Sequence, residues 1–279
     1  MSHSETSKTA RATSSTDSEA RTVTVNLTAP TSWKEMSQDQ LRYVFDLMAL
    51  GENPTALKTL VFVRFCGLEV LRKTRFGWKC LVEVDDKRRI IYLHTWEVQS
   101  FLHQFDYIDQ VENMDCRLDA VCGLHAVDPL LHGVSFETYL QAETYYQMCL
   151  SGKDDTLVDA LACWLYTDDH GRHAGEDGCA VKDLTLTPGE RIGTMLWYMH
   201  VKKVMSDYFT HFFRRTDAEV GAPSGRELLD MYNTQIRALT DGDVTKERQV
   251  LDLDCWRALT ELDAKTREAE ELERIRNKS

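Results

Sequence analysis

The sequence lacks the short motifs by which many enzymes bind phosphate groups or activate a nucleophile. Its 279 residues contain no Gly-x-Ser-x-Gly, no Gly-Lys-Ser/Thr and no Gly-x-Gly-x-x-Gly. These motifs place a serine at a strand-to-helix turn or surround a phosphate with backbone N–H groups. Without them, we expect a protein that is not an enzyme, that needs no cofactor and that has no small-molecule substrate.

Long apolar runs and closely paired cysteines are also missing. The most apolar stretch, residues 192–213, is interrupted by charged and polar side chains, whereas a membrane-spanning helix needs about 20 apolar residues. The beginning of the sequence has none of the apolar character of a signal peptide. None of the eight cysteines forms a Cys-x-x-Cys pair, which is typical of free thiols in a reducing compartment. We therefore expect a cytoplasmic protein with no membrane partner.

Basic residues are scarce relative to acidic ones, and the formal net charge is -12 at pH 7. Apolar residues make up 43% of the sequence, which is close to the average for a globular protein and is enough for a sizeable core. An acidic protein repels phosphate groups, so this charge disfavours a general role in coating nucleic acid. We therefore do not expect nucleic acid to be the main partner.

Composition and periodicity divide the chain into five segments. Residues 1–30 are rich in Ser and Thr and poor in large apolar side chains, so we expect this tail to be disordered. Residues 31–108 are predicted to form an α+β unit and residues 109–133 an irregular linker. Residues 134–215 are predicted to form a helical unit, and residues 216–279 a helical C-terminal arm.

Helix and strand signals predict an α+β fold that is predominantly α-helical. Residues 37–40 (Ser-Gln-Asp-Gln) and 187–190 (Thr-Pro-Gly-Glu) have the pattern of a helix N-terminus. Three short runs at 68–73, 78–84 and 89–93 are rich in β-branched and aromatic residues and are separated by turn signals. We therefore expect N-terminal helices with a small three-stranded antiparallel meander, then a helical unit and an extended C-terminal helix.

One loop contains several residue types that bind metal ions. Residues 167–186 are polar, and their first part, residues 168–179, contains seven such candidates: Asp168, Asp169, His170, His173, Glu176, Asp177 and Cys179. Their spacing matches no closed metal site, and the loop has no apolar anchor that would hold ligands in place. We favour a solvated loop that binds no metal. A metal-dependent enzyme centred on residues 168–179 is the third hypothesis.

The predicted meander is rich in basic and aromatic residues. Residues 64–92 contain eight Lys or Arg residues interleaved with Phe76, Trp78 and Tyr92. Such a sheet can stack bases and contact phosphates. The candidate nucleic-acid-binding residues are Arg72, Lys73, Arg75 and Trp78. We favour a solvated sheet face, because nearby carboxylates offset the charge, and keep a nucleic-acid-binding accessory protein as the alternative.

Apolar residues surround most of the helix predicted over residues 192–213. Such a helix is either central in its own fold or shared with another chain. The C-terminal helix is almost wholly charged after Asp263, so its end would project unless a partner covered it. Protein–protein contact is therefore the activity that we expect. The predicted partner-binding residues are Trp197, Tyr198, Trp256, Leu259 and Leu262.

Three helix-patterned segments carry a family resemblance and cover about a third of the chain. They are TSWKEMSQDQLRYVFDLMA (31–49), VSFETYLQAETYYQMCLSGKDDTLVDALACWLY (134–166) and QIRALTDGDVTKERQVLDLDCWRALTELDAKTREAEE (235–271). They resemble segments of uncharacterised proteins from bacteriophages and prophages of gut Bacteroidetes. The resemblance implies a protein of the virion structural or tail-assembly module, and it carries no catalytic residues.

Together, these features predict a non-catalytic protein–protein interaction protein in phage morphogenesis, either a minor virion component or a tail-assembly chaperone. The resemblance implies that its partners are other phage structural or assembly proteins, or further copies of itself. It places the protein in the cytoplasm of the bacterial host, with the virion as an alternative location.

Overall fold

The computed structural model describes residues 8–12, 23–84, 86–152, 154, 156–175, 184–214 and 225–277. The chain divides into two compact units, residues 1–114 and 115–279. Within the described ranges the fold is α+β and predominantly α-helical, as the sequence predicts. None of the helices in these ranges is long and apolar enough to cross a membrane.

The first unit combines two strands, two helices, a three-stranded meander and a third helix. Its elements are β1 (Lys8–Ala12), β2 (Val23–Leu27), α1 (Gln38–Ala49), α2 (Pro54–Phe65), β3 (Glu69–Thr74), β4 (Gly77–Val84), β5 (Lys87–His94) and α3 (Thr95–Leu102), with 3-10 turns at Trp33–Glu35, His103–Asp109 and Val111–Asn113. The meander is antiparallel in the order β3-β4-β5, which confirms the predicted sheet.

Strands β1 and β2 form an antiparallel pair in a region predicted to be disordered. Lys8 lies opposite Leu27, and Ala12 lies opposite Val23. The predicted disorder is therefore corrected for these residues. Hydrogen bonds between the two strands pair their backbone groups, and an argument from side-chain composition alone does not take such pairing into account. Residues 1–7 and 13–22 lie outside the described part of the chain.

Two predicted helix starts are confirmed by their capping contacts. At α1, the Ser37 hydroxyl accepts from the Gln40 N–H (3.2 Å), and the Gln40 side chain accepts from the Ser37 N–H (2.8 Å). Thr187 and Glu190 exchange the same pair of hydrogen bonds at a later helix, over 3.3 and 3.0 Å. These contacts satisfy backbone donors that the first turn of a helix leaves unpaired.

A buried lysine joins α2 to the turn that follows α3. Lys58 Nζ lies 2.5 Å from both Asp106 Oδ1 and Asp109 Oδ2. Burial by itself lowers the pKa of Lys58, but hydrogen bonds to the two carboxylates outweigh it and leave that pKa raised. The same ion pair lowers the pKa of Asp106. The contact therefore holds the 3-10 segment His103–Asp109 against α2.

The second unit contains six helices and a small antiparallel sheet among its described residues. Its elements are β6 (Ala120–Val121), β7 (Leu124–Ala126), α4 (Phe136–Ser151), α5 (Thr156–Leu165), β8 (Tyr166–Thr167), α6 (Pro188–Tyr208), α7 (Gly225–Thr240), α8 (Glu247–Leu251) and α9 (Cys255–Arg276). Much of the predicted linker, residues 109–133, belongs to this unit and contributes β6 and β7.

The predicted C-terminal arm is packed within the second unit over much of its length. Leu259 and Leu262 of α9 are buried. The Asp263 carboxylate accepts hydrogen bonds from the backbone N–H groups of His211 (2.8 Å) and Phe212 (2.9 Å). Further along, Glu270 pairs with the side chains of His211 and of Arg214 (2.8 Å). The expectation that the helix projects after Asp263 is therefore wrong at least as far as Glu270.

A polar network is buried where α4 meets α6. The Glu143 carboxylate lies 2.9 Å from Lys202 Nζ and accepts hydrogen bonds from Tyr198 Oη (3.1 Å) and Gln147 Nε2 (2.7 Å). Lys202 also donates to Tyr139 Oη (3.2 Å). Burial, and then the Glu143 charge, raise the pKa values of Tyr139 and Tyr198 well above the usual value. Both tyrosines therefore stay protonated and act as structural groups.

We expect Lys202→Met to destabilise the protein, because it leaves the Glu143 carboxylate buried without its cation. Removing one partner of a buried ion pair costs about 3 kcal/mol, so the free energy of unfolding should fall by that amount in urea denaturation followed by circular dichroism. Lys203→Met is the matched control, since Lys203 pairs with Asp207 at the surface and its loss should cost under about 0.5 kcal/mol. Equal losses in the two variants would contradict this prediction.

Burial should also protect three thiols from alkylation. Burial raises the pKa of Cys80 and Cys163 to about 11 and that of Cys255 to about 12. Only the thiolate reacts, and at pH 8 a thiol with a pKa near 11 is about 0.1% ionised. Iodoacetamide at pH 8 should label the exposed Cys122 and leave these three unlabelled until urea is added. Mass spectrometry before and after the addition of urea measures which cysteines are labelled. Labelling of Cys163 in the native protein would contradict this prediction.

Candidate functional site

Four of the five residues predicted to bind a partner lie in the core of the second unit. Trp197 is 1% exposed, and Tyr198, Leu259 and Leu262 are equally enclosed. The indole N–H of Trp197 donates to the backbone oxygen of Pro129 (2.8 Å). These four side chains of α6 and α9 are therefore enclosed within their own unit and are not at a surface that a partner could contact.

The fifth residue, Trp256, is half-buried at the surface of the same unit. Its indole N–H donates to the Leu130 backbone oxygen (2.6 Å), and its ring stacks on His132 with centroids 4.7 Å apart. The edge of the exposed Tyr208 ring meets it on another side, at 5.5 Å. Trp256 therefore anchors the start of α9 to the loop that precedes α4 and leaves a small aromatic surface.

The polar loop that resembled a metal site is closed by an arginine. Asp168 accepts hydrogen bonds from the backbone N–H groups of His170 (2.8 Å) and Arg172 (3.0 Å), and its other oxygen pairs with the Arg172 guanidinium. The backbone hydrogen bond from Arg172 contributes most to holding the pKa of Asp168 at about 2. In the part of the chain that the structure describes, no cluster of potential ligands could hold a metal ion. Residues 176–183 lie outside that part.

The meander has one face in the core and one at the surface. On the inner face, Cys80, Val82, Ile91 and Leu93 are buried. The half-buried Trp78 belongs to this face and meets a phenylalanine ring of α2. Because side chains alternate along a strand, the residues between them point to the outer face.

This alternation separates the residues proposed for nucleic-acid binding. Lys73 lies opposite Trp78 in the ladder, with Lys73 Nζ 4.5 Å from the centroid of its ring, so both belong to the inner side. Arg72 lies opposite Lys79 on the outer face, and Lys79 lies opposite Tyr92. The four predicted residues therefore do not form one surface.

The outer face continues into a group of exposed rings at the β3–β4 turn. Phe76 is 69% exposed in the turn, and Trp96 is 66% exposed at the start of α3. The rings of His94 and Trp96 are nearly parallel, at 9°, with centroids 6.4 Å apart. We call this surface the basic-aromatic patch; it comprises Arg72, Arg75, Phe76, Lys79, Tyr92, His94 and Trp96.

Backbone contacts fix the turn beside the helix. The Thr95 N–H donates to the Phe76 backbone oxygen (3.2 Å), and the Thr95 hydroxyl donates to the Arg75 backbone oxygen (3.2 Å). At the same helix end, the Glu97 carboxylate accepts from the His94 N–H (2.7 Å). The β3–β4 turn and the start of α3 are therefore joined by hydrogen bonds, which fix the positions of the exposed side chains that they carry.

The cations of the patch are available to an anion. Among the described residues, Arg72, Arg75 and Lys79 form no salt bridge. The Arg75 guanidinium lies 4.5 Å from the Phe76 ring centroid, and Lys79 Nζ lies 5.8 Å from that of Tyr92. Cations held beside aromatic faces can contact phosphates while the rings stack on bases.

The sequence signal identified only part of this patch. Arg72 and Arg75 were candidates, and Lys79 and Tyr92 fell within the basic region, but His94 and Trp96 were missed. They lie where β5 becomes α3, so neither the strand pattern nor the helix pattern singles them out.

No protein-family model matches the chain, and no curated protein and no solved structure matches it.

We expect Gly77→Ala to disrupt the scaffold of the patch. Gly77 has a φ of +152°, and a Cβ there would lie 2.1 Å from the Leu93 backbone oxygen on β5. The clash should separate β4 from β5 and speed backbone hydrogen–deuterium exchange in peptides of both strands by at least about tenfold. Gly67→Ala is the control, because a Cβ there would meet nothing within 4 Å. This substitution should lower the free energy of unfolding by about 1 kcal/mol, through the positive φ alone. Similar exchange in both variants would refute the clash.

Proposed function

We propose that the protein binds single-stranded nucleic acid through the basic-aromatic patch. The observation that carries the proposal is the pairing of exposed rings, Phe76 and Trp96, with cations that have no carboxylate partner among the described residues. Exposed rings of this size are costly on a soluble surface unless they contact something. Single-stranded nucleic acid offers both kinds of partner, because its bases can stack on the rings and its phosphates can pair with the cations.

The distribution of charge favours a local rather than a general interaction. Residues 70–82 contain four Lys or Arg residues and no Asp or Glu, whereas Glu83, Asp85 and Asp86 lie just before the three cations of residues 87–89, so the excess of positive charge is at the β3–β4 end of the meander. The chain as a whole carries a net charge of -12. A polyanion is therefore repelled by most of the protein and attracted at the meander, which restricts contact to this surface.

The role in phage morphogenesis stays a prediction that rests on the sequence resemblance. Four of the five residues expected to carry it are buried, and the half-buried Trp256 is the one that remains at the surface. Nucleic-acid binding therefore has the stronger physical support. It is compatible with an accessory protein that has no catalytic role.

Fluorescence anisotropy with labelled dT12 and rU12 tests the proposal on the full-length chain. We expect measurable binding that weakens with salt, because each phosphate contact on a single strand contributes about 0.7 to the slope of log K against log salt. Replacing both Arg72 and Lys79 by Gln should weaken binding at least about tenfold and lower the slope by about 1.4, since two such contacts are lost.

Arg88→Gln is the matched control on the same sheet. Arg88 lies opposite Glu83 in the β4–β5 ladder, so its charge is already offset. This variant should keep the affinity within about twofold, because the Glu83 carboxylate opposite Arg88 already weakens the attraction of that side chain for a phosphate. Absence of salt-dependent binding by the unmodified protein, or an equal loss in Arg88→Gln, would rule out the proposed site.

A further inference from the structure

The excess of positive charge on the outer face of the meander is confined to one row of side chains. The row of Arg72, Lys79 and Tyr92 carries two cations. The next row towards the β4–β5 turn contains Glu69 with Leu81 and Ile90, and in the row beyond it Glu83 lies opposite Arg88, so their charges offset. Rows on one face are about 7 Å apart, so a carboxylate and then a neutral pair follow directly after the cations. A phosphate backbone can follow the sheet only a short way before it loses its attraction to the surface.

The opposite end of the patch offers rings instead of carboxylates. Trp96 is exposed and its ring is nearly parallel to that of His94, so a base placed on the free face of Trp96 extends an existing stack. The turn that carries Phe76 is hydrogen-bonded to Thr95, directly before Trp96. Arg75, over the Phe76 ring, supplies a cation at this end.

We propose that the patch takes a short stretch of about three unpaired nucleotides, which is comparable to the two or three bases that sheet aromatics stack in other single-strand binders. This inference rests on the proposed function and specifies its ligand. Arg72 and Lys79 contact the phosphate at the Tyr92 row, and Arg75 contacts the phosphate at the turn. The bases stack on Tyr92, Trp96 and Phe76.

Unpaired bases are required because a duplex covers the faces that these rings would contact. In double-stranded DNA each base is stacked between its neighbours, so an exposed ring on a protein surface can reach only its edge or the backbone. The basic part of the patch is also too short to follow a duplex groove. Single strands are therefore preferred for a geometric reason as well as an electrostatic one.

The length of the site is measured with unlabelled oligothymidylates of 2, 3, 4, 6 and 12 nucleotides competing against labelled dT12 on the full-length chain. We expect the affinity to rise steeply up to about three nucleotides and then by about fivefold from four to twelve nucleotides, because a three-nucleotide site has about two positions on dT4 and about ten on dT12. The dA12·dT12 duplex should bind at least about tenfold more weakly than dT12, because stacking is lost.

Base stacking is separated from charge by an abasic probe. Trp96→Leu should weaken binding of dT4 roughly tenfold and leave binding of a four-unit abasic deoxyribose-phosphate oligomer unchanged. Phe76→Leu should behave in the same way. Tyr208→Leu is the control, since it removes an equally exposed ring from the second unit.

Two results would overturn this inference while leaving the proposed function in place. One is an affinity for dT4 that neither Trp96→Leu nor Phe76→Leu changes. The other is an affinity that rises at least about twentyfold between four and twelve nucleotides, well above the statistical factor of about five. Failure of the unmodified protein to bind any single strand would instead overturn the proposed function itself.

Discussion

The burial of one face of the meander determines what the other face presents. Cys80, Val82, Ile91 and Leu93 are enclosed on the inner side, and Trp78 meets Phe62 of α2 there. Because these side chains pack in the core, the pleat directs the residues between them to the opposite face. Cations and rings collect on the outer face because it is the face that the core does not use.

Local signals in the sequence predicted the elements well and their assembly poorly. The capping pattern of residues 37–40 and 187–190 involves neighbours within one turn, so both helix starts could be read directly. The strand register could not, because the ladder shifts between Val70 and Arg72. An irregularity of this kind moves each later residue of β3 to the opposite face from the one that simple alternation gives. The register shift decides which face each residue occupies: it places Arg72 on the outer face and Lys73 on the inner face.

The second unit shows why the end of the chain was misread. The segment after Asp263 is strongly charged, and a charged helix with no visible partner is expected to extend into solvent. Its partners are the backbone around His211 and the side chain of Arg214, some fifty residues earlier. Similarly, Glu143 and Lys202 come from separate helices. Pairing of this kind depends on tertiary packing, which a single sequence does not reveal through periodicity.

The irregular register of β3 has a consequence for self-association. β3 is a free edge of its sheet, and its backbone groups would accept a strand from another copy of the protein. The displaced ladder near Leu71 and the adjacent charges of Arg72 and Lys73 oppose that pairing, since two such edges would bring like charges together. These two charges thus limit aggregation, and variants that neutralise them should be handled at low protein concentration.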